Sequence, residues 1–398
     1  MQLDLSAQSA LAAIAAARRT LEIHPFRVME VLARARALEA RGRHVVHMEI
    51  GEPDFSAAPS VVEAASRALR AGKTAYTNSL GLSELREAIS RHYADSFGCT
   101  VPPSRIAVTA GGSGALLLAL ALYVEAGREF LVPDPGYPGY RHFVRVFEGR
   151  PSPLPVSSAT AFHPTAGAVE EAWTPRTAGL VLGTPSNPSG TTLGKEELAR
   201  IAAAIQVRGG VLLVDEIYQN LVFGQKPSTA FGLPGEVVLV NSFSKYFCMT
   251  GWRLGWAVLP EDKIALFERL AQHMFICPPT ISQFAALAAF EDDARAVFEE
   301  RRLELEKRRD FVVRELRLAG LQVPAEPTGA FYVYADCSSF TTDSTRFALE
   351  LLDQEGLALT PGVDFGSNQT STHVRIAYTQ SLDALEAGIE RLGRFCRR

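Results

Sequence analysis

Short apolar runs alternate with amphipathic stretches along most of this chain. The runs at 105–109, 130–132, 179–182, 210–214, 237–240 and 254–259 are rich in Val, Leu and Ile, and each predicts a buried strand. Apolar residues recur at helical spacing over 26–40, 59–71, 115–123, 195–206 and 261–274. From about residue 76 to about residue 274 this alternation predicts an α/β fold, a mostly parallel sheet covered by helices on both faces. The segment 44–55 reads as a strand ending in the turn Gly51-Glu52-Pro53-Asp54. The long charged helix expected over 292–318 is a bridge into a second domain, which carries strands at 329–334 and 372–376. No internal repeat or low-complexity linker interrupts the pattern.

Composition narrows the classes of function. With 398 residues the chain is long enough for about two or three domains, and 47% hydrophobic residues fill a sizeable core. A net charge of −4 provides no basic face for nucleic acid and no polybasic membrane anchor. No apolar run reaches the length of a membrane span. The five cysteines show no CxxC spacing and the 8 histidines no metal-ligand spacing. A sparse, odd set of cysteines suits a reducing, cytoplasmic setting, and no metal site is expected. Residues 9–17 are alanine-rich, but Asp4 precedes them and the arginines Arg18 and Arg19 follow. That is the wrong charge order for a signal peptide, so 1–20 reads as a short arm. Gly72-Lys73-Thr74 mimics the end of a nucleotide-binding loop, but Arg67 stands where that loop needs a glycine.

The chemistry concentrates in NSFSKYFCMTGWRLGW, residues 241–256. Lysine is scarce, six against 34 arginines, and Lys245 falls on the turn leaving a predicted core strand. Taken alone it would be an ordinary surface lysine. Desolvated at such a place, its neutral amine is favoured and can attack a carbonyl. Ser242, Ser244 and Arg253 supply hydroxyls and a planar cation suited to phosphate. A carbonyl-reactive lysine beside a phosphate site points to pyridoxal phosphate. Two further strand ends fit that reading. Gly112, Ser113 and Gly114 open a predicted helix, where free amides favour an anion. Asp215 ends an apolar strand, where α/β folds place ligands.

The 241–256 stretch resembles the lysine signature of class I aminotransferases, fold-type I pyridoxal phosphate enzymes. It is most similar to the bacterial aspartate, alanine and aromatic aminotransferase subgroup. The likeness runs from about residue 48 to about residue 378 and includes GEPDF, NPSG, DEIY, PGVDFG and THVRIAY. It implies a large cofactor domain over 48–292 and a small domain from 21–47 and 293–398, after the extension 1–20. It implies Lys245 as covalent anchor and general base, with Asp215 on the cofactor's ring nitrogen. Tyr137 stacks on the ring, and Asn187 and Tyr218 reach its phenolic oxygen. Gly112, Ser113, Gly114, Ser242, Ser244 and Arg253 take the phosphate. Gly51, Asn187 and Arg375 hold the substrate, the arginine gripping its α-carboxylate. Tyr76 matches a tyrosine that reaches the neighbour's phosphate, which implies a homodimer with shared sites. The bond before Pro188 is a candidate cis peptide.

Substrate choice is written more faintly. Relatives selective for aspartate can carry lysine where Ser113 stands. With Phe26 and Val28 near the substrate side chain, the expectation is a neutral or aromatic amino donor, with 2-oxoglutarate or pyruvate as acceptor. Aspartate aminotransferase, or a lyase or synthase of the same fold, are the alternatives. A transcriptional regulator with this fold would need a DNA-binding module, for which the 20-residue arm is too short.

Overall fold

The computed structural model describes residues 16–397. Of the arm expected over 1–20, the first fifteen residues lie outside the described ones. A seven-stranded sheet forms the centre of the molecule, in the order β2-β8-β7-β6-β5-β3-β4. Its strands are β2 (Ile106–Thr109), β3 (Glu129–Asp134), β4 (Arg150–Pro155), β5 (Thr177–Gly183), β6 (Val211–Asp215), β7 (Glu236–Ser242) and β8 (Gly255–Val258). Only β8 runs against the others. The strands β2, β6 and β8 are buried along their whole length, so the apolar runs carry no polar alternation. One core lies on each face of the sheet, the larger containing Leu180, Leu212 and Trp256, the other Val181, Leu213 and Ala257. Side chains alternate along each strand, so successive residues serve opposite cores.

The helices differ from expectation in one place that matters. Helix α2 (Gly111–Tyr123) begins four residues before the predicted 115, so the glycine run is its first turn and not a turn before it. Helix α1 (Arg27–Glu39), α4 (Lys195–Gln206) and the long charged α5 (Asp292–Leu318) form where they were expected, whereas α3 (Pro138–Val146) forms where only a proline-rich turn was expected.

Both flanking segments join in smaller sheets. The two-residue strand β1 (Val46–His47) pairs in parallel with β10 (Leu357–Ala358). The strand expected over 44–55 is therefore short, and 49–55 runs as irregular backbone into the site. A second sheet has the order β11-β12-β9, from β9 (Tyr332–Asp336), β11 (Thr360–Pro361) and β12 (His373–Ala377). Val31 and Ala35 of α1 pack with Val45, Leu352 and Ala358, binding the early segment to the late one. Among the described residues no helix is long and apolar enough to cross a membrane, and no group of His, Cys, Asp or Glu could hold a metal ion.

Candidate active site

The carboxyl ends of β5, β6 and β7 converge on a cavity of about 280 Å³. Gly51, Tyr137, Asn187, Asp215, Tyr218, Lys245 and Arg375 line it. These seven expected site residues come from segments more than 320 positions apart in the chain, and the fold brings them to one place.

Asp215 is the last residue of β6 and is buried. Its Oδ2 accepts from the Tyr140 hydroxyl at 2.9 Å and its Oδ1 from the Ile217 amide at 3.3 Å. Burial raises its pKa to about 6, against the lowering effect of those two donors and of Lys245. Both hydrogen-bond donors are neutral, so the carboxylate is suited to a cationic partner reaching it from the cavity.

Lys245 follows β7 on the turn out of the sheet, and its Nζ donates to the Gly51 carbonyl at 2.6 Å. The Tyr218 and Phe331 rings lie 5.8 and 5.6 Å from the same nitrogen. Burial lowers its pKa to about 8, with Arg375 pushing the same way. Near neutrality a useful fraction of this amine is therefore uncharged.

Beside the lysine, Ser242 Oγ donates to Ser244 Oγ at 2.9 Å and accepts from the Ser244 amide at 3.0 Å. The Arg253 guanidinium lies 3.5 Å from Ser244 Oγ and donates to the Thr250 carbonyl at 2.7 Å. Arg253 holds a left-handed φ of 52°, strain that a side chain accepts when its position is over-determined. The guanidinium also reaches the start of α2, since a Cβ added at Gly111 would sit 2.6 Å from Arg253 Nη2. No side chain caps that helix, so its first amides remain available to an anion. Gly112 and Gly114 are buried in this first turn, and Ser113 is exposed.

Arg375 is buried on β12, between the Tyr332 ring at 4.4 Å and the Phe365 ring at 5.0 Å. Its Nη1 donates to Asn187 Oδ1 at 3.1 Å and its Nη2 to Thr360 Oγ1 at 3.2 Å and to the Glu49 carbonyl. The buried Nε has no hydrogen-bond partner among the described residues. A fixed planar cation with a free donor suits a carboxylate. Tyr76 is 78% exposed and lines no part of the cavity.

The family model described as "Aminotransferase class I and II" matches residues 43–392. This chain belongs to that family. It is an aminotransferase that uses pyridoxal phosphate. The valine–pyruvate aminotransferase of Mycobacterium tuberculosis is 36% identical over 93% of this chain and 96% of its own. The aspartate/prephenate aminotransferase of Thermus thermophilus is 35% identical over 95% and 97%. A crystal structure of an aminotransferase from Mycobacterium tuberculosis superposes with a TM-score of 0.93 at 36% identity, over 96% of this chain and 99% of that one.

The residues of the aminotransferase fit its cofactor. A buried carboxylate with neutral donors suits a protonated ring nitrogen. A lysine of lowered pKa suits an aldehyde. The uncapped helix start, two hydroxyls and an arginine suit a phosphate. Two tyrosines went unnoticed in the sequence. Tyr140 holds Asp215, and Tyr332 donates to or accepts from the Tyr218 hydroxyl at 2.9 Å. Tyr332 also crowds Gly51, where a Cβ would fall 2.0 Å from its hydroxyl oxygen. Tyr332 sits two positions diagonally from Arg375 across the β9–β12 pair, which puts both on one sheet face. The Asn187–Pro188 bond is cis, as its turn suggested, and so are those before Pro135 and Pro185.

Proposed function

We propose that the enzyme moves an amino group from a neutral or aromatic L-amino acid to a 2-oxo acid such as 2-oxoglutarate or pyruvate. The observation that carries this reading is the apolar wall of the cavity that also holds Lys245. Phe26, Val28, Met29 and Leu32 of α1 and its cap form it, with Ile50 and Ile217 beside them. The cavity's cations are Lys245 and Arg375, and neither belongs to that wall. A side-chain carboxylate placed there would lose water without gaining a partner, whereas an apolar side chain is stabilised by the same desolvation.

In this reading Arg375 grips the α-carboxylate through the in-plane N–H donors of its guanidinium, with Asn187 and Gly51 beside it. The fixed grip orients the α-hydrogen toward Lys245. Lys245 anchors the cofactor and, once released by the amino acid, takes up the α-proton on Nζ as general base. Its lowered pKa keeps that nitrogen competent near neutrality. Asp215, steadied by Tyr140, faces the ring nitrogen as a carboxylate. Tyr137 covers the ring, and Asn187 and Tyr218 reach its phenolic oxygen. Gly112, Ser113, Gly114, Ser242, Ser244 and Arg253 hold the phosphate. Bound pyridoxal phosphate supplies an electron sink for the α-carbon.

The same reading includes a homodimer in which exposed Tyr76 serves the neighbour's site. It divides the chain at 48–292 for the large domain, with 21–47 and 293–398 in the small one. It places the enzyme in the cytoplasm, in keeping with free cysteines at Cys99, Cys248, Cys277, Cys337 and Cys396. A panel of amino donors with both acceptors tests the substrate reading. Phenylalanine and alanine are expected to exceed aspartate in kcat/KM. A clear preference for aspartate would overturn it.

A further inference from the structure

The apolar wall hangs on one carboxylate. Helix α1 starts at Arg27, and its cap residue Phe26 has no side-chain oxygen to satisfy the first amides. Asp364, 337 positions on, does so: its Oδ1 accepts from the Arg27 amide at 2.8 Å and its Oδ2 lies 3.4 Å from the Val28 amide. The negative charge also sits at the positive end of the helix. Asp364 is buried and is itself tied down, since its carbonyl accepts from Arg141 Nη2 at 2.6 Å. The next residue, Phe365, accepts from the Gly136 amide at 2.9 Å and packs its ring on Arg375. One short stretch therefore fixes both the start of α1 and one face of the substrate arginine.

Other ties at this end of α1 are weaker in kind. The ion pairs Arg145–Glu22 and Arg19–Glu148 lie at the surface, where salt and side-chain entropy offset most of their attraction. Phe26 and Met29 are 38% and 55% exposed although both line the cavity, so little packing holds them from outside. Phe26 meets the Tyr137 ring at 6.4 Å with 26° between the planes.

We propose that Asp364 is a specificity-determining positioning residue: by capping α1 it sets the distance of the Phe26–Leu32 wall from the reacting lysine. The selectivity half of this inference rests on the apolar-substrate reading, while the clamp itself does not. Three proteins test it, wild type, Asp364→Ala and Asp364→Asn, each loaded with cofactor. Deuterium uptake over 24–39 is measured alongside kcat and KM for phenylalanine and alanine. Loss of the cap in Asp364→Ala is expected to speed uptake over 24–39 about fivefold to tenfold, with Asp364→Asn, which keeps an acceptor oxygen, in between. The phenylalanine-to-alanine ratio of kcat/KM is expected to fall about tenfold in Asp364→Ala, mainly through the KM of phenylalanine, and to recover in part in Asp364→Asn. Unchanged uptake over 24–39 in both variants would overturn the clamp whatever the substrate. Faster uptake with equal losses for the two donors would reduce Asp364 to a structural role and overturn the specificity claim. A wild-type preference for aspartate would overturn the substrate reading, and with it the selectivity half, leaving the uptake result to decide the clamp.

Discussion

Asp215 and Phe26 line the same cavity, and the chain holds them by different means. Asp215 ends a strand paired on both edges, is buried, and accepts two hydrogen bonds. Lys245, Asn187, Tyr218 and Arg375 are each tied to a further residue of the site or its backbone. Phe26 lies at the start of a helix whose first amides depend on a single distant carboxylate. Strand ends in a packed sheet move little, which suits groups that must meet reacting atoms within fractions of an ångström. A lightly held wall can part to admit a substrate and close again. The difference teaches a division of labour. Under the proposed function the floor carries the chemistry, and the wall carries the choice of substrate.

The largest test of that division is Lys245→Ala. Turnover is expected to fall at least ~10³-fold, since covalent attachment and proton transfer go together. Borohydride treatment of the wild-type holoenzyme should label the Lys245 peptide, and the variant should yield no such label. Steady-state transamination retained in the variant would break the comparison at its root. Asp215→Asn comes next. A neutral amide cannot balance a cationic ring nitrogen, so kcat is expected to fall about 10²-fold. The loss should fall equally on every donor, because Asp215 lies on the floor. A loss confined to large donors would place Asp215 in the wall.

Much of the floor was legible in the chain because it is written in short stretches. The 241–256 run, DEIY, NPSG and THVRIAY each carry a reactive residue in distinctive local company, and the first three follow an apolar run. Tyr140 and Tyr332 were not legible, because their roles depend on partners 75 and 114 positions away. Asp364 is the extreme case, with its contact spanning 337 positions. The strand β4 was also missed: RPSPLP contains three prolines, and only its place at the sheet edge, paired on one side, tolerates them. The two-residue strands β1, β10 and β11 are too short to show a period at all. Lys245 and the desolvation that favours its neutral amine could be read from the sequence; the further push from Arg375, on another sheet, could not.

That shift gives a pH test of the floor. The Lys245 amine titrates near pH 8 instead of its ordinary 10.5, because burial disfavours the ammonium form. Only the uncharged amine attacks an aldehyde. Below pH 8 the uncharged fraction falls about tenfold per pH unit. The rate at which cofactor-free protein gains visible absorbance with added pyridoxal phosphate should therefore climb up to about pH 8 and level off above it. Phe26→Ala should leave this midpoint in place, since the groups against the Lys245 amine are the Gly51 carbonyl and the Tyr218 and Phe331 rings. A rate still climbing tenfold per unit at pH 10 would mean that the floor does not desolvate its lysine.

The smallest effect sharpens the comparison most. Phe26→Ala removes the ring that meets Tyr137 at 6.4 Å and opens the wall without touching Arg375 or Lys245. An aromatic pair contributes about 1 kcal/mol beyond its buried area, so kcat/KM for phenylalanine is expected to fall about fivefold. Alanine carries too little side chain to reach that ring, and its kcat/KM should change less. The phenylalanine loss should appear in KM, because a wall that only binds acts alike on ground and transition states. A fall in kcat for both donors would mean that the ring stacked on Tyr137 also fixes the reacting geometry. Floor and wall would then act as one unit, and substrate choice could not be altered at α1 without cost to the chemistry.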